Sequence, residues 1–204
     1  MYCKFKVMQV IFYILLKELC QDLGYKKKGY LFYKQLTSEV SSTVGFNISS
    51  GQTITHRSVA PQIGVRYETV EKLLAEIADE DWCKVFSSTI SSHIGYLMPE
   101  NKWIEWDFDK SCENVIPFVE NLSAAIQKYA VTYYEEFASL DKIISFLEGL
   151  KFGSANYDLF IRLPIMHYLT GDKSKGMEFI NNVIMNYPED YLFTEKYISN
   201  FEKL

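Results

Sequence analysis

Hydrophobic positions along the chain alternate between two periods, and the switches mark out its elements. Val7, Ile11, Ile14, Leu15 and Leu23 recur at helical spacing and predict an amphipathic N-terminal helix that ends at Gly24. The period then drops to two. "YLFYKQL" reads as a strand with aromatics on both faces. In "VSSTVGFNIS", Val40, Val44, Phe46 and Ile48 share one face, and Thr43, Gly45, Asn47 and Ser49 the other. "SSGQ" at 49–52 reads as a turn, "TITHRSV" as a third strand and "QIGVRY" as a fourth. These short connections predict an antiparallel meander.

Thr69 is the expected N-cap of a second helix, whose apolar stripe is Val70, Leu73, Leu74 and Ile77. "HIGYLM" and "KWIEWDF" flank Pro99, Glu100 and Asn101, which predicts a hairpin. In its second arm, alternation puts Trp103, Glu105, Asp107 and Asp109 on one face. From Ser111 the period stays near 3.6. Val115, Phe118, Val119, Leu122, Ile126 and Tyr129 form one stripe. Leu140, Ile143, Ile144 and Leu147 form the next, capped by Ser139 and ending at Gly149. A helix through Tyr157, Phe160, Ile161, Ile165, Tyr168 and Leu169 should kink or restart at Pro164. After Gly171 and Asp172 comes a stripe of Met177, Ile180, Ile184 and Tyr187, and Tyr197, Ile198 and Phe201 close the chain. The pattern is α+β: an N-terminal helix, an antiparallel sheet meander, then a C-terminal run of packed helices. The expected organisation is a sheet region over 1–110 and a helical region over 111–204 packed on it, or one continuous domain.

Composition is that of an ordinary globular chain, 48% hydrophobic and 23% charged over 204 residues. Lys4 and Lys6 precede an apolar run of only ten residues, too short to cross a membrane, and no small-residue pair for cleavage follows it. A cytoplasmic protein is therefore expected. Cys3, Cys20, Cys83 and Cys112 form no CxxC pair and sit at no metal-ligand spacing from His56, His93 or His167, which suits free thiols in a reducing compartment. Charge is uneven. Through Arg66 there are nine Lys/Arg and three Asp/Glu, a balance of +6; the remainder carries −11, which gives the net −5. Such asymmetry suits a charged partner.

Lys26, Lys27 and Lys28 stand where the first helix gives way to the first strand. With an acidic chain around them and no nucleic-acid motif, a solvated corner is expected and nucleic-acid binding is not. The stretches "LGYKKKGYLFYK", "VGFNISSGQ" and "QIGVRYETVEKLLAEI" are similar to a bacterial family of unknown function found among polymorphic-toxin immunity proteins. The likeness covers about the first half of the chain, and the helical second half departs from the short family pattern. What the resemblance implies is a protein that binds and blocks a cognate toxin. It carries over no catalytic residues.

No GxSxG, HExxH, Walker or GxGxxG motif occurs. "DFDKSCE" at 107–113 opens like a calcium loop, but Cys112 and Phe118 stand where glycine and a bidentate Glu are required. Neither a cofactor nor a metal is expected, and no enzymatic activity. The candidate partner-binding residues are Asp79, Glu80, Asp81, Glu105, Asp107 and Asp109, with Tyr96 and Trp103 as aromatic anchors. An acidic surface of this kind suits a basic toxin such as a nuclease, whose charge serves phosphate binding. The alternative is a small-molecule-binding protein or enzyme, with a pocket between sheet and helices approached by His56, Arg57 or Arg66.

Overall fold

The computed structural model describes residues 14–50, 56–78, 85–109, 115–150, 157–187 and 192–204. It is α+β. Helix α1 (14–22) is followed by β1 (Lys26–Lys28), β2 (Leu31–Gln35), β3 (Val40–Ser50) and β4 (His56–Tyr67). Then come α2 (Glu68–Ala78), β5 (Ile90–His93), a 3-10 turn (Ile94–Tyr96) and β6 (Trp106–Asp109). Helices α3 (Val115–Glu136), α4 (Leu140–Gly149), α5 (Tyr157–Phe160), α6 (Leu163–Leu169), α7 (Lys173–Asn186) and α8 (Glu195–Glu202) complete the chain. The strands form one sheet in the order β1-β2-β3-β4-β5, with β6 also paired to β4. Two compact units result, each discontinuous in sequence. The first is 1–36, 41–64 and 91–135; the second is 37–40, 65–90 and 136–204.

In the first unit α1 ends as its glycine dictates. Gly24 takes φ +82°, its N–H donates to the Gln21 carbonyl, and the Tyr25 N–H donates to the Cys20 carbonyl. This is a Schellman closure, which only a left-handed residue completes. The buried stripe of α1 is Leu16, Leu19 and Cys20, while Ile14 is exposed. The helical face thus lies rotated from the expected one; Val7 and Ile11 are outside the described residues. Lys26, Lys27 and Lys28 are not a loop but an exposed strand, paired Lys26↔Tyr33, Lys27↔Phe32 and Lys28↔Leu31. Gly29, at φ +59°, opens the two-residue turn between the strands. β1 lies at one end of the sheet order, and lysines there discourage pairing with another chain.

Strand β3 departs from simple alternation. Ser41, Ser42 and Thr43 are as buried as Val44, so both faces of this stretch are covered. Its polar groups are satisfied within the unit: Ser42 Oγ donates to the Lys34 carbonyl at 3.1 Å, and the Tyr134 hydroxyl of α3 donates to the Thr43 carbonyl at 3.4 Å. Tyr134 also meets the Tyr25 hydroxyl at 2.8 Å. The same helix buries Phe118, Leu122, Ile126, Ala130 and Tyr133. The two strands expected on either side of Pro61 are one, β4. Proline lacks the N–H a ladder requires. Pro61 falls just past the β6-paired stretch His56–Val59 and before Val65, whose carbonyl accepts from Thr89 ahead of β5. The turn expected at 49–52 reaches beyond the described residues.

In the second unit α2 begins at Glu68, one residue before the expected cap, with the Glu68 N–H on the Glu39 carbonyl. Val70, Leu74 and Ile77 are buried, and so is Glu71. Ser139 occupies the N-cap of α4, Pro164 opens α6, and Asp172 caps α7 by accepting from the Lys175 N–H. The inward face of α7 is Gly176, Ile180 and Val183, and Ile184, Met185 and Tyr187 are exposed. The expected stripe is therefore rotated, because α7 packs through its glycine. A Cβ on Gly176 would lie 2.9 Å from both the Pro164 carbonyl and the Phe201 ring. Phe160, Phe179, Phe193, Tyr197 and Phe201 touch in succession, stacked at Phe160–Phe179 and Tyr197–Phe201, edge-on at Phe179–Phe193 and tilted at Phe193–Tyr197.

Candidate interaction surface

The expected hairpin across Pro99–Asn101 is not formed, since β6 pairs with β4 rather than with β5. A closed loop joins β5 to β6 instead. His93 ends β5 and caps the 3-10 turn: its Nδ1 accepts from the Gly95 N–H at 3.1 Å. The Lys102 N–H returns to the Gly95 carbonyl at 3.2 Å. Gly95 is indispensable at this crossing, because a Cβ there would sit 2.3 Å from the Lys102 carbonyl oxygen. Asn101 makes the reversal with φ +44°, a conformation asparagine tolerates better than most residues.

This loop brings together three of the sequence-picked residues around one that was not picked. The Trp103 indole stacks on the His93 ring at 4.0 Å and 15°, and Tyr96 meets His93 edge-on at 5.7 Å. Trp103 Nε1 donates to Glu105 Oε1 at 3.0 Å. His93 is 4% exposed, whereas Tyr96 is 50% and Trp103 47% exposed. A buried imidazole thus props two outward aromatics. That rigidity matters, since large side chains already held in place lose little entropy on binding.

The electrostatics are set by the same contacts. The Trp103 N–H, then the Ser58 hydroxyl, hold the Glu105 carboxyl below its ordinary range. Burial pulls the His93 pKa down, against the Ile104 carbonyl and the Glu105 charge, which pull it up. With Nδ1 accepting from Gly95, the neutral ring carries its proton on Nε2; the Ile104 carbonyl acts on the ring, but no partner among the described residues meets that buried atom in good hydrogen-bond geometry.

Asp107 is exposed within β6, opposite Ser58 in the register. Asp109 pairs with His56 by backbone position. Glu105 precedes β6, so the strand holds two of the three expected carboxylates. The side chain of Asp109, and Asp79, Glu80 and Asp81 altogether, lie outside the described residues. Among the described residues no group of three His, Cys, Asp or Glu is placed to hold a metal. Nor, among them, is any helix long and apolar enough to cross a membrane.

The second unit holds a different cluster, turned inward. Glu71 Oε1 accepts from Arg162 Nε at 2.7 Å and from Thr89 Oγ1 at 2.8 Å. Its Oε2 accepts from Arg162 Nη2 at 2.9 Å and Ser87 Oγ at 3.0 Å. Arg66 Nε donates to Glu68 at 2.8 Å and Arg66 Nη1 to the Ser87 carbonyl at 2.8 Å, and Phe86 lies beneath its guanidinium. Arg66 was a candidate for approaching a ligand pocket; here its guanidinium is engaged in internal bonds. His167 is likewise internal: its Nε2 sits 3.2 Å from Glu148 Oε1, which also takes Lys175 Nζ at 2.6 Å. These contacts tie strand and helices together within the unit. Comparisons of the chain with protein-family models, with curated proteins and with solved structures returned no match in any of the three.

Proposed function

We propose that the chain is a binding protein that docks a basic protein domain on the Tyr96–Trp103–Glu105–Asp107 surface. In the specific form implied by its N-terminal resemblance, it is a bacterial, cytoplasmic immunity protein that neutralises a cognate toxin and catalyses nothing itself. The observation that carries this reading is Trp103: half exposed, stacked on a buried histidine and bonded to a carboxylate. Aromatics of this kind act as anchors at interfaces, and flanking charge of one sign selects and steers a partner of the other. The −11 balance after Arg66 favours a cationic partner. The test is co-expression with the product of the gene immediately upstream. The expected result is rescue of growth from that product's toxicity and co-purification of the pair, both lost in a Trp103→Ala/Glu105→Gln/Asp107→Asn variant. A product that is neither toxic nor retained would end this reading.

A further inference from the structure

The geometry around Trp103 points to a subsite for an arginine side chain. The inference rests on the docking reading above and names the chemical group that this surface takes. His93 covers one face of the indole and 47% of Trp103 remains exposed, so the face turned away from His93 is the one we assign to a ligand. That open face is the electron-rich part of the ring, and tryptophan is the best aromatic acceptor of a cation. The Nε1–Glu105 bond sets a carboxylate at the edge of the same indole. The Glu105 carboxylate takes the indole N–H and the Ser58 hydroxyl, and a carboxylate has about four lone-pair sites, so it can still accept from a further donor. A planar cation lying on the free face therefore reaches both the π surface and Glu105 without moving either.

Guanidinium fits this pairing better than ammonium. It is flat, stacks on aromatic faces, is weakly hydrated, and carries several N–H groups in its plane that can turn toward a carboxylate at the ring edge. Lysine's compact ammonium offers charge but no stacking plane. The platform is built before any ligand arrives: His93 is held by the Gly95 N–H, and Gly95 by the Lys102 N–H.

The test needs no partner protein. The full chain is titrated with capped Gly-Arg-Gly, and separately with its lysine and citrulline counterparts. The Trp103 indole N–H signal, assigned with a Trp103→Phe variant, is followed by NMR. The arginine peptide is expected to shift this signal with saturation in the millimolar range, roughly the strength of one small contact set. Lysine should bind at least about threefold more weakly, and neutral citrulline should give no shift. Glu105→Gln should weaken arginine binding by about three- to tenfold, with the Trp103 signal keeping its dispersion. Equal response to arginine and lysine, no response below about 50 mM, or indifference to Glu105→Gln would each overturn the arginine subsite. If a basic partner is still captured in that event, docking stands and only its arginine specificity falls. If the peptide binds and no partner is found, the subsite stands and the immunity reading falls.

Discussion

Arg162→Met is the sharpest test of how the second unit is held together. The substitution keeps an apolar stem but removes the guanidinium that grips both oxygens of Glu71, at 2.7 and 2.9 Å. Glu71 is 2% exposed and Arg162 4%, so neither group can turn to water. Removing one partner of a buried ion pair costs about 3–5 kcal/mol, chiefly because the other charge is stranded. Here Thr89 and Ser87 still donate to the carboxylate, and Arg66 Nη1 stands 3.9 Å away. The loss should therefore lie at the low end, about 3 kcal/mol. In a chain of this size that lowers the thermal midpoint by about 6–12 °C. Glu71→Leu alone strands Arg162 and should cost at least as much. The double variant, Glu71→Leu with Arg162→Met, replaces the pair by apolar groups and should return to within about 1 kcal/mol of the parent. Urea unfolding followed by far-UV circular dichroism at neutral pH measures all four proteins. If Arg162→Met costs less than about 1 kcal/mol, or if the two single losses simply add, the carboxylate is not the buried hub described above.

Two other outcomes follow from the geometry. Burial lowers the pKa of both His93 and His167, with Lys175 adding to the effect at His167. As pH falls below their ordinary value of 6.5, the unfolded chain binds protons that the folded chain refuses. Stability should therefore rise with pH up to that range and be lost on acidification through the lowered values, and a His93→Gln/His167→Gln variant should flatten the slope in urea titrations between pH 7.5 and 5. Gly95→Ala forces a Cβ to within 2.3 Å of the Lys102 carbonyl oxygen, so the loop must open. It should cost about 1–3 kcal/mol and collapse the distinct NMR shift of the Trp103 indole, whereas Gly149→Ala, with nothing within 4 Å, should leave that shift unchanged.

Elements with strong local grammar were legible in the chain itself. Gly24, Pro164, Gly171 and Asp172 each mark a boundary that the structure keeps, because backbone sterics and capping act over a few residues. What period alone could not give was phase. In α1 and α7 a helical spacing was present, but neighbouring apolar residues offered two overlapping stripes. Packing chose Leu16, Leu19 and Cys20 in one and Gly176, Ile180 and Val183 in the other. Strand partners were also hidden. Two aromatic arms around Pro99–Asn101 look like a hairpin, yet β6 finds its ladder on β4, and only the long-range register decides that.

The charges divide by the same logic, and that division bears on function. Arg162 interrupts the apolar run "LFIRLPIMHYL", and a cation in such a run signals a buried carboxylate elsewhere; nothing local named Glu71 as its partner. Several carboxylates after Arg66 are thus taken up in ion pairs: Glu71 with Arg162 in the interior, Glu68 with Arg66, and Glu148 with Lys175 nearer the surface. A net balance cannot tell such carboxylates from those that face a partner. Glu105 differs from them in kind. It is exposed, its indole donor carries no charge, and among the described residues no cation is ion-paired with it. His93, which no motif in the sequence marks, makes that possible by fixing the ring whose N–H fixes the carboxylate. An acidic face built on a neutral aromatic scaffold keeps its charge for a ligand, which an ion-paired surface cannot do.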